Sequence, residues 1–114
     1  MRVGIIKETL ENERRIAAVP ETVSKMTKAG TEVLIESGAG SGSFISDGEF
    51  EASGARISSR DEILSSADVL IKVNKPTPDE IDKMKEGAIV ISFLQPFSSP
   101  EEIKKLAGRK VSAL

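Results

Sequence analysis

Two adjacent arginines, Arg14 and Arg15, stand between a short apolar run, Val3-Gly4-Ile5-Ile6, and a second one, Ile16-Ala17-Ala18-Val19. A guanidinium is a planar fork that matches a carboxylate or phosphate. A loop leaving the carboxyl end of a strand is where open α/β sheets place their ligands. Arg15 is therefore a candidate for anion binding in a cleft; its alternative role is a surface or interface ion pair with Glu11 or Glu13. Lys72 is the second candidate. It lies inside the apolar run Val69–Val73, and a buried ammonium needs a partner. It either reaches a cleft at the strand end or extends to the sheet edge, and the two-residue period of a strand does not choose between them. The other carboxylates (Glu49, Glu51, Asp61, Glu62, Asp79, Glu80, Glu101, Glu102) are expected to be scattered on helix faces. Several are first-turn residues that suit the helix dipole. No spacing among them suggests a metal or glycosidase-type site.

What is missing narrows the chemistry further. The 114 residues contain no histidine and no cysteine. That removes the commonest general base, thiolate metal sites, cysteine nucleophiles and disulfides. Sixteen Lys and Arg oppose eighteen Asp and Glu, for a net charge of −2. Such a balance argues against nucleic-acid or polybasic membrane partners. No apolar run approaches the ~18 residues of a membrane span, and no signal peptide precedes the first strand. The expectation is a cytoplasmic chain with no direct membrane insertion.

The elements that position these residues alternate. Capping boxes, in which Ser or Thr is followed three residues later by Glu, mark helix starts. They occur at Ser46/Glu49, Ser59/Glu62, Thr77/Glu80 and Ser99/Glu102, with Pro78 and Pro100 at first helical positions. Gly30, Gly54, Gly87 and Gly108 mark helix ends. The helix opened by Pro20 carries Val23 and Met26 on one face, with Val19 continuing the stripe. Strands are expected at Val3–Ile6, Val33–Ile35, Arg56–Ile57, Val69–Val73, Ala88–Phe93 and Val111–Leu114. Near-continuous apolar strands suggest a sheet covered on both faces, and single intervening helices imply right-handed parallel crossovers. The fold class is α/β: a doubly wound, mostly parallel open sheet, flavodoxin- or Rossmann-like, in a single domain over 1–114.

Glu36-Ser37-Gly38-Ala39-Gly40-Ser41-Gly42-Ser43 imitates a dinucleotide loop. The fingerprint is G-x-G-x-x-G; here the third glycine comes one residue early. The next helix starts near Asp47, too late to present its N-terminus to a pyrophosphate. A flexible connecting turn is the expectation.

Three segments together resemble a known family. Lys7-Glu8, Asn12-Glu13-x-Arg15-Ile16-Ala17 and Val19-Pro20-Glu21-x-Val23, ending in Lys28-Ala29-Gly30, are similar to the opening of the alanine dehydrogenase and NAD(P) transhydrogenase alpha-subunit family. In alanine dehydrogenases the arginine matching Arg15 holds the carboxylate of the small substrate. The same enzymes carry Lys-Val-Lys-x-Pro, whose second lysine grips substrate, and a histidine in a Phe-x-His context. This chain has Lys72-Val73-Asn74-Lys75-Pro76 and Phe93-Leu94-Gln95-Pro96. Asn74 and Gln95 thus replace the lysine and the histidine, and glutamine exchanges no proton. Both segments resemble the transhydrogenase alpha branch, in which hydride passes directly between two nicotinamides.

The resemblance implies the N-terminal part of an NAD(H)-binding subunit whose complete enzyme couples hydride transfer to proton translocation. It further implies an NADP-binding beta-subunit partner, a homodimer, no metal, and peripheral attachment to the inner membrane through partner subunits. The Rossmann domain bearing the glycine fingerprint is expected downstream of Leu114. The abrupt apolar end of the chain suits a piece of something longer. The piece alone is expected to be inactive. The alternatives are an alanine dehydrogenase-like fragment and a non-catalytic flavodoxin-like binding module.

Overall fold

The computed structural model describes residues 1–93 and 100–113, and the side chains of all of these except 100–103 and 113. Six strands and five helices alternate. They are β1 (Arg2–Ile5), α1 (Pro20–Lys28), β2 (Glu32–Glu36), α2 (Asp47–Ala52), β3 (Arg56–Ser58), α3 (Arg60–Ser66), β4 (Val69–Lys72), α4 (Pro78–Lys83), β5 (Ile89–Ser92), α5 (Pro100–Gly108) and β6 (Ser112–Ala113). The sheet order is β3-β2-β1-β4-β5-β6, and every pair is parallel. The order reverses between β1 and β4, so the topological switch point lies there. This is the doubly wound arrangement that the alternating pattern predicts.

Strand periodicity sorts the core into two layers. Ile5 of β1 and Val33 and Ile35 of β2 face α1 and α2, packing with Val23 and Phe50, and Val3 is buried on the same side of β1. Leu34, Leu70 and Val90 face the other way, against Ile63 and Leu64 of α3, Ile81 of α4 and Leu106 of α5. Gly4 also faces α3. A Cβ there would lie 2.5 Å from Ile63 Cγ2 and 2.9 Å from the Ala67 Cβ, so the absent side chain lets α3 approach the sheet. Both faces are covered at β1 and β2. On β4 and β5 the cover is uneven: Leu70 and Val90 are buried, but Val69, Ile71, Ile89 and Ile91 are only half-buried. Helices α1 and α2 sit over the β1–β3 half of the sheet, so helices cover both faces as expected and the α1/α2 side of β4 and β5 is only partly covered.

Helix ends follow the capping chemistry. Ser46/Glu49 and Thr77/Glu80 form complete capping boxes. Ser59 accepts from the Glu62 N–H, but Glu62 does not return the bond; its carboxylate pairs with Arg56 instead. Ser99 lies outside the described residues. Gly30, Gly54 and Gly87 all have positive φ, which glycine adopts without a Cβ penalty. Gly108 does not: it is the last residue of α5, and the left-handed residue is Lys110 at φ 54°. Val19 is likewise corrected. It is the N-cap of α1 and 45% exposed, and Ala18 takes the buried position.

Candidate functional site

The loop after β1 and the loop after β4 meet at the switch point. Two shallow open hollows flank their junction. One, of about 380 Å³, is lined by residues 10–15 and Asn74. The other, of about 410 Å³, is lined by Glu8–Leu10, Lys72 and the segment Asn74–Pro78. Leu10 and Asn74 border both.

Glu8 joins the two loops. Its carboxylate accepts from the backbone N–H of Val73 at 3.0 Å and of Asn74 at 3.2 Å. Two sequence-distant loops are thereby held by one buried side chain. The Asn74 amide nitrogen donates to Glu13 at 2.8 Å and approaches Glu8 at 3.5 Å. Glu13 in turn is gripped by Arg15 through Nε at 2.8 Å, Nη2 at 2.7 Å and the backbone N–H at 3.0 Å. Arg15 is exposed, whereas the Glu13 side chain is only 5% exposed. The Arg15 side chain, then its backbone N–H and the Asn74 amide, hold the Glu13 carboxyl down at about 2. Glu13 correspondingly raises the Arg15 guanidinium pKa.

Lys72 faces the α3–α4 layer, on the same side of β4 as Leu70. It is 2% exposed. Its ammonium donates to Glu80 Oε1 at 2.9 Å and lies 3.8 Å from Glu8. Burial pushes its pKa down, and Glu8 partly offsets that. It neither extends to a sheet edge, since β4 is internal, nor protrudes into solvent; it forms part of the crevice floor. Glu80 also caps α4 through the Thr77 N–H and contacts Arg60. Arg60 continues to Glu36 at 2.9 Å and to the Lys7 carbonyl at 3.2 Å. One line of polar contacts thus runs from the end of β2 to the exposed Arg15.

Of the four sequence candidates, the structure brings Arg15, Lys72 and Asn74 together. Gln95 lies outside the described residues. Sequence reasoning missed Glu8, and it placed Glu80 among scattered helix-face carboxylates although Glu80 is only 3% exposed. Two signals were available: Lys72 required a partner, and Glu80 closes a capping box next to it.

The Gly38–Gly42 segment is a connecting turn, but a docked one. The Asp47 carboxylate accepts from the Gly38 N–H at 2.9 Å and from the Ser37 hydroxyl at 2.8 Å. The Ala39, Ser41 and Ser43 N–H groups bond to carbonyls within the turn. A Cβ on Gly42 would meet the Arg14 carbonyl at 2.9 Å, and the Ser43 hydroxyl donates to that carbonyl at 2.6 Å. These four N–H groups are already engaged, as a connecting turn requires. Among the described residues no group of three or more acidic side chains could hold a metal ion, and no helix is long and apolar enough to cross a membrane.

The chain is similar to known proteins along its whole length. The family described as alanine dehydrogenase/PNT, N-terminal domain, matches residues 4–114. The NAD(P) transhydrogenase subunit alpha of Haemophilus influenzae is 43% identical over all 114 residues, which span 22% of that protein. An alanine dehydrogenase of Mycobacterium tuberculosis is 44% identical over 95 residues, covering 82% of this chain and 26% of the relative. The crystal structure of transhydrogenase from Sinorhizobium meliloti superposes with a TM-score of 0.92 at 38% identity, over 99% of this chain and 34% of that one. An L-alanine dehydrogenase structure gives 0.91 at 28% identity, over 100% of this chain and 32% of that one. The chain thus spans between about a fifth and a third of the proteins it resembles, and it belongs to the alanine dehydrogenase/PNT family as an N-terminal domain.

Proposed function

We infer that this chain is the first domain, over residues 1–114, of an NAD(P) transhydrogenase alpha subunit whose NAD-binding Rossmann domain follows downstream. The observation that carries the reading is the commitment of Asn74. Where alanine dehydrogenases resemble this stretch with a substrate-gripping lysine, Asn74 is neutral and spends its amide hydrogens on Glu13 and Glu8. Arg15 therefore has no second cation from that position with which to clamp a small carboxylate. Gln95, at the histidine position of the resemblance, supplies no acid or base. Both changes suit a reaction that moves hydride without proton transfer to an amino- or oxo-acid.

Bound NAD(H) supplies the hydride in this reading, and the Gly38–Gly42 turn is not its pyrophosphate seat. The chain's own residues set the shape of the crevice. Glu8 and Lys72 fix the β4–α4 loop, while Glu13 orients Arg15 at the mouth. There its outward edge meets either an anionic ligand or a carboxylate on the opposing domain. An NADP-binding beta subunit is the hydride partner. The subunit works as a homodimer in the cytoplasm, attached to the inner membrane through its partners and coupled there to proton translocation.

The test supplies the complete subunit with the NADP-binding partner, NADH and an NADP analogue. Reduction of the analogue dependent on both proteins is expected. No transfer with both cofactors saturating would overturn the assignment. The isolated 114-residue chain is expected to be inactive in the same assay.

A further inference from the structure

We propose that Asn74 is a specificity-determining residue that offers its side-chain oxygen to a neutral N–H donor on the ligand, with a primary carboxamide as the group that fits. The proposal rests on the transhydrogenase reading above and deepens it.

The orientation of the Asn74 amide follows from its neighbours. Glu13 and Glu8 flank its nitrogen at 2.8 and 3.5 Å. An ionised carboxylate only accepts hydrogen bonds, and Glu13 stays ionised down to about 2. The NH2 group must therefore point at the two glutamates. Flipping the amide would set its oxygen against two anions. The Oδ1 atom then has no hydrogen-bond partner among the described residues, and it is absent from the fully buried unpaired atoms. The residue is 6% exposed and borders both hollows. A nearly buried side chain at the wall of both hollows thus keeps one acceptor without a partner among the described residues.

That acceptor has consequences for ligand chemistry. It offers nothing to a carboxylate, whose oxygens likewise only accept hydrogen bonds. It pairs with the N–H of a carboxamide, the group that distinguishes nicotinamide from nicotinate. A lysine at this position would do the opposite, as a cation that attracts a carboxylate. Sites built around a specific hydrogen bond discriminate strongly against ligands that lack the matching group.

The test titrates the 114-residue chain with nicotinamide and, separately, with nicotinate. Resonances of the Asn74 side chain and of Arg15 are followed by NMR. Nicotinamide is expected to shift the Asn74 NH2 signals and to bind at least about fivefold more tightly than nicotinate, the equivalent of one net neutral hydrogen bond. Asn74→Ala should abolish the preference, and Asn74→Lys should reverse it. Glu8 still receives both backbone N–H groups in these variants, and an unchanged amide spectrum elsewhere verifies the fold. Equal or tighter nicotinate binding in the unmodified chain, no response to nicotinamide, or a preference that survives Asn74→Ala would overturn the proposal. Hydride transfer by the complete subunit alongside any of those results would remove Asn74 from its role and leave the transhydrogenase reading standing. A carboxamide preference without hydride transfer would do the reverse.

Discussion

Glu13 and Arg15, two residues apart, form a two-toothed ion pair that a third group, the Asn74 amide, locks from across the switch point. The carboxylate is shielded and the guanidinium is not. Exposed ion pairs contribute little by themselves. The importance of this one is geometric, since it fixes which edge of Arg15 faces outward.

Acid should undo this arrangement late. The folded Glu13 carboxyl sits at about 2, below its ordinary 4.5, so its contribution to stability is complete above about 4.5 and lost as pH falls toward 2. Titration of the Glu13 carboxyl carbon by NMR should give that low midpoint, and Arg15→Ala should move it upward. A midpoint near 4.5 in the unmodified chain would mean that the pair is absent in solution.

Arg15→Ala should leave the 114-residue chain folded, because an exposed guanidinium contributes little through surface pairing. In the complete subunit the same change should slow hydride transfer or weaken nucleotide binding, since small displacements in a cleft cost rate. A melting curve of the fragment and a turnover assay of the whole check the two halves. A large fall in melting temperature with normal turnover would make Arg15 purely structural.

Lys72→Met is expected to be far more damaging to the fold. The ammonium is buried between Glu80 and Glu8, and removing one partner of a buried pair costs about 3 kcal/mol or more. Denaturant melts should show it. Lys72→Met combined with Glu80→Gln should recover part of the loss, and no recovery would mean that Glu80 is not the principal partner.

Capping boxes, the helix-opening Pro20 and near-continuous apolar runs located the five α-helices and six strands, because each reports a local rule about orphan N–H groups or strand burial. Cover of the sheet was less legible: Val69, Ile71, Ile89 and Ile91 read as buried but are half-open, since run length does not say where α1 and α2 rest. At the site, Arg15 and Lys72 stood out as cations in unusual places. Glu8 did not, because its partners are backbone N–H groups 65 and 66 residues away. Such a bond leaves no periodicity to read. Glu80 was recognised as a cap, yet its second role depends on β4 packing beside α4.

The docked Gly38–Gly42 turn leads to another expectation. Asp47 and internal carbonyls already hold the Gly38, Ala39, Ser41 and Ser43 N–H groups, so the 114-residue chain should not bind NADH at micromolar strength, roughly −8 kcal/mol. Calorimetric titration checks this. A micromolar complex would show that the turn reorganises around a pyrophosphate.

With Asn74 committed to Glu13 and Glu8, this crevice should not clamp a small amino or oxo acid. The most direct measurement incubates the complete subunit with NAD and L-alanine and follows NADH formation. The account predicts no formation above the alanine-free control. Robust alanine-dependent NADH formation would contradict it and place the protein with the alanine dehydrogenases.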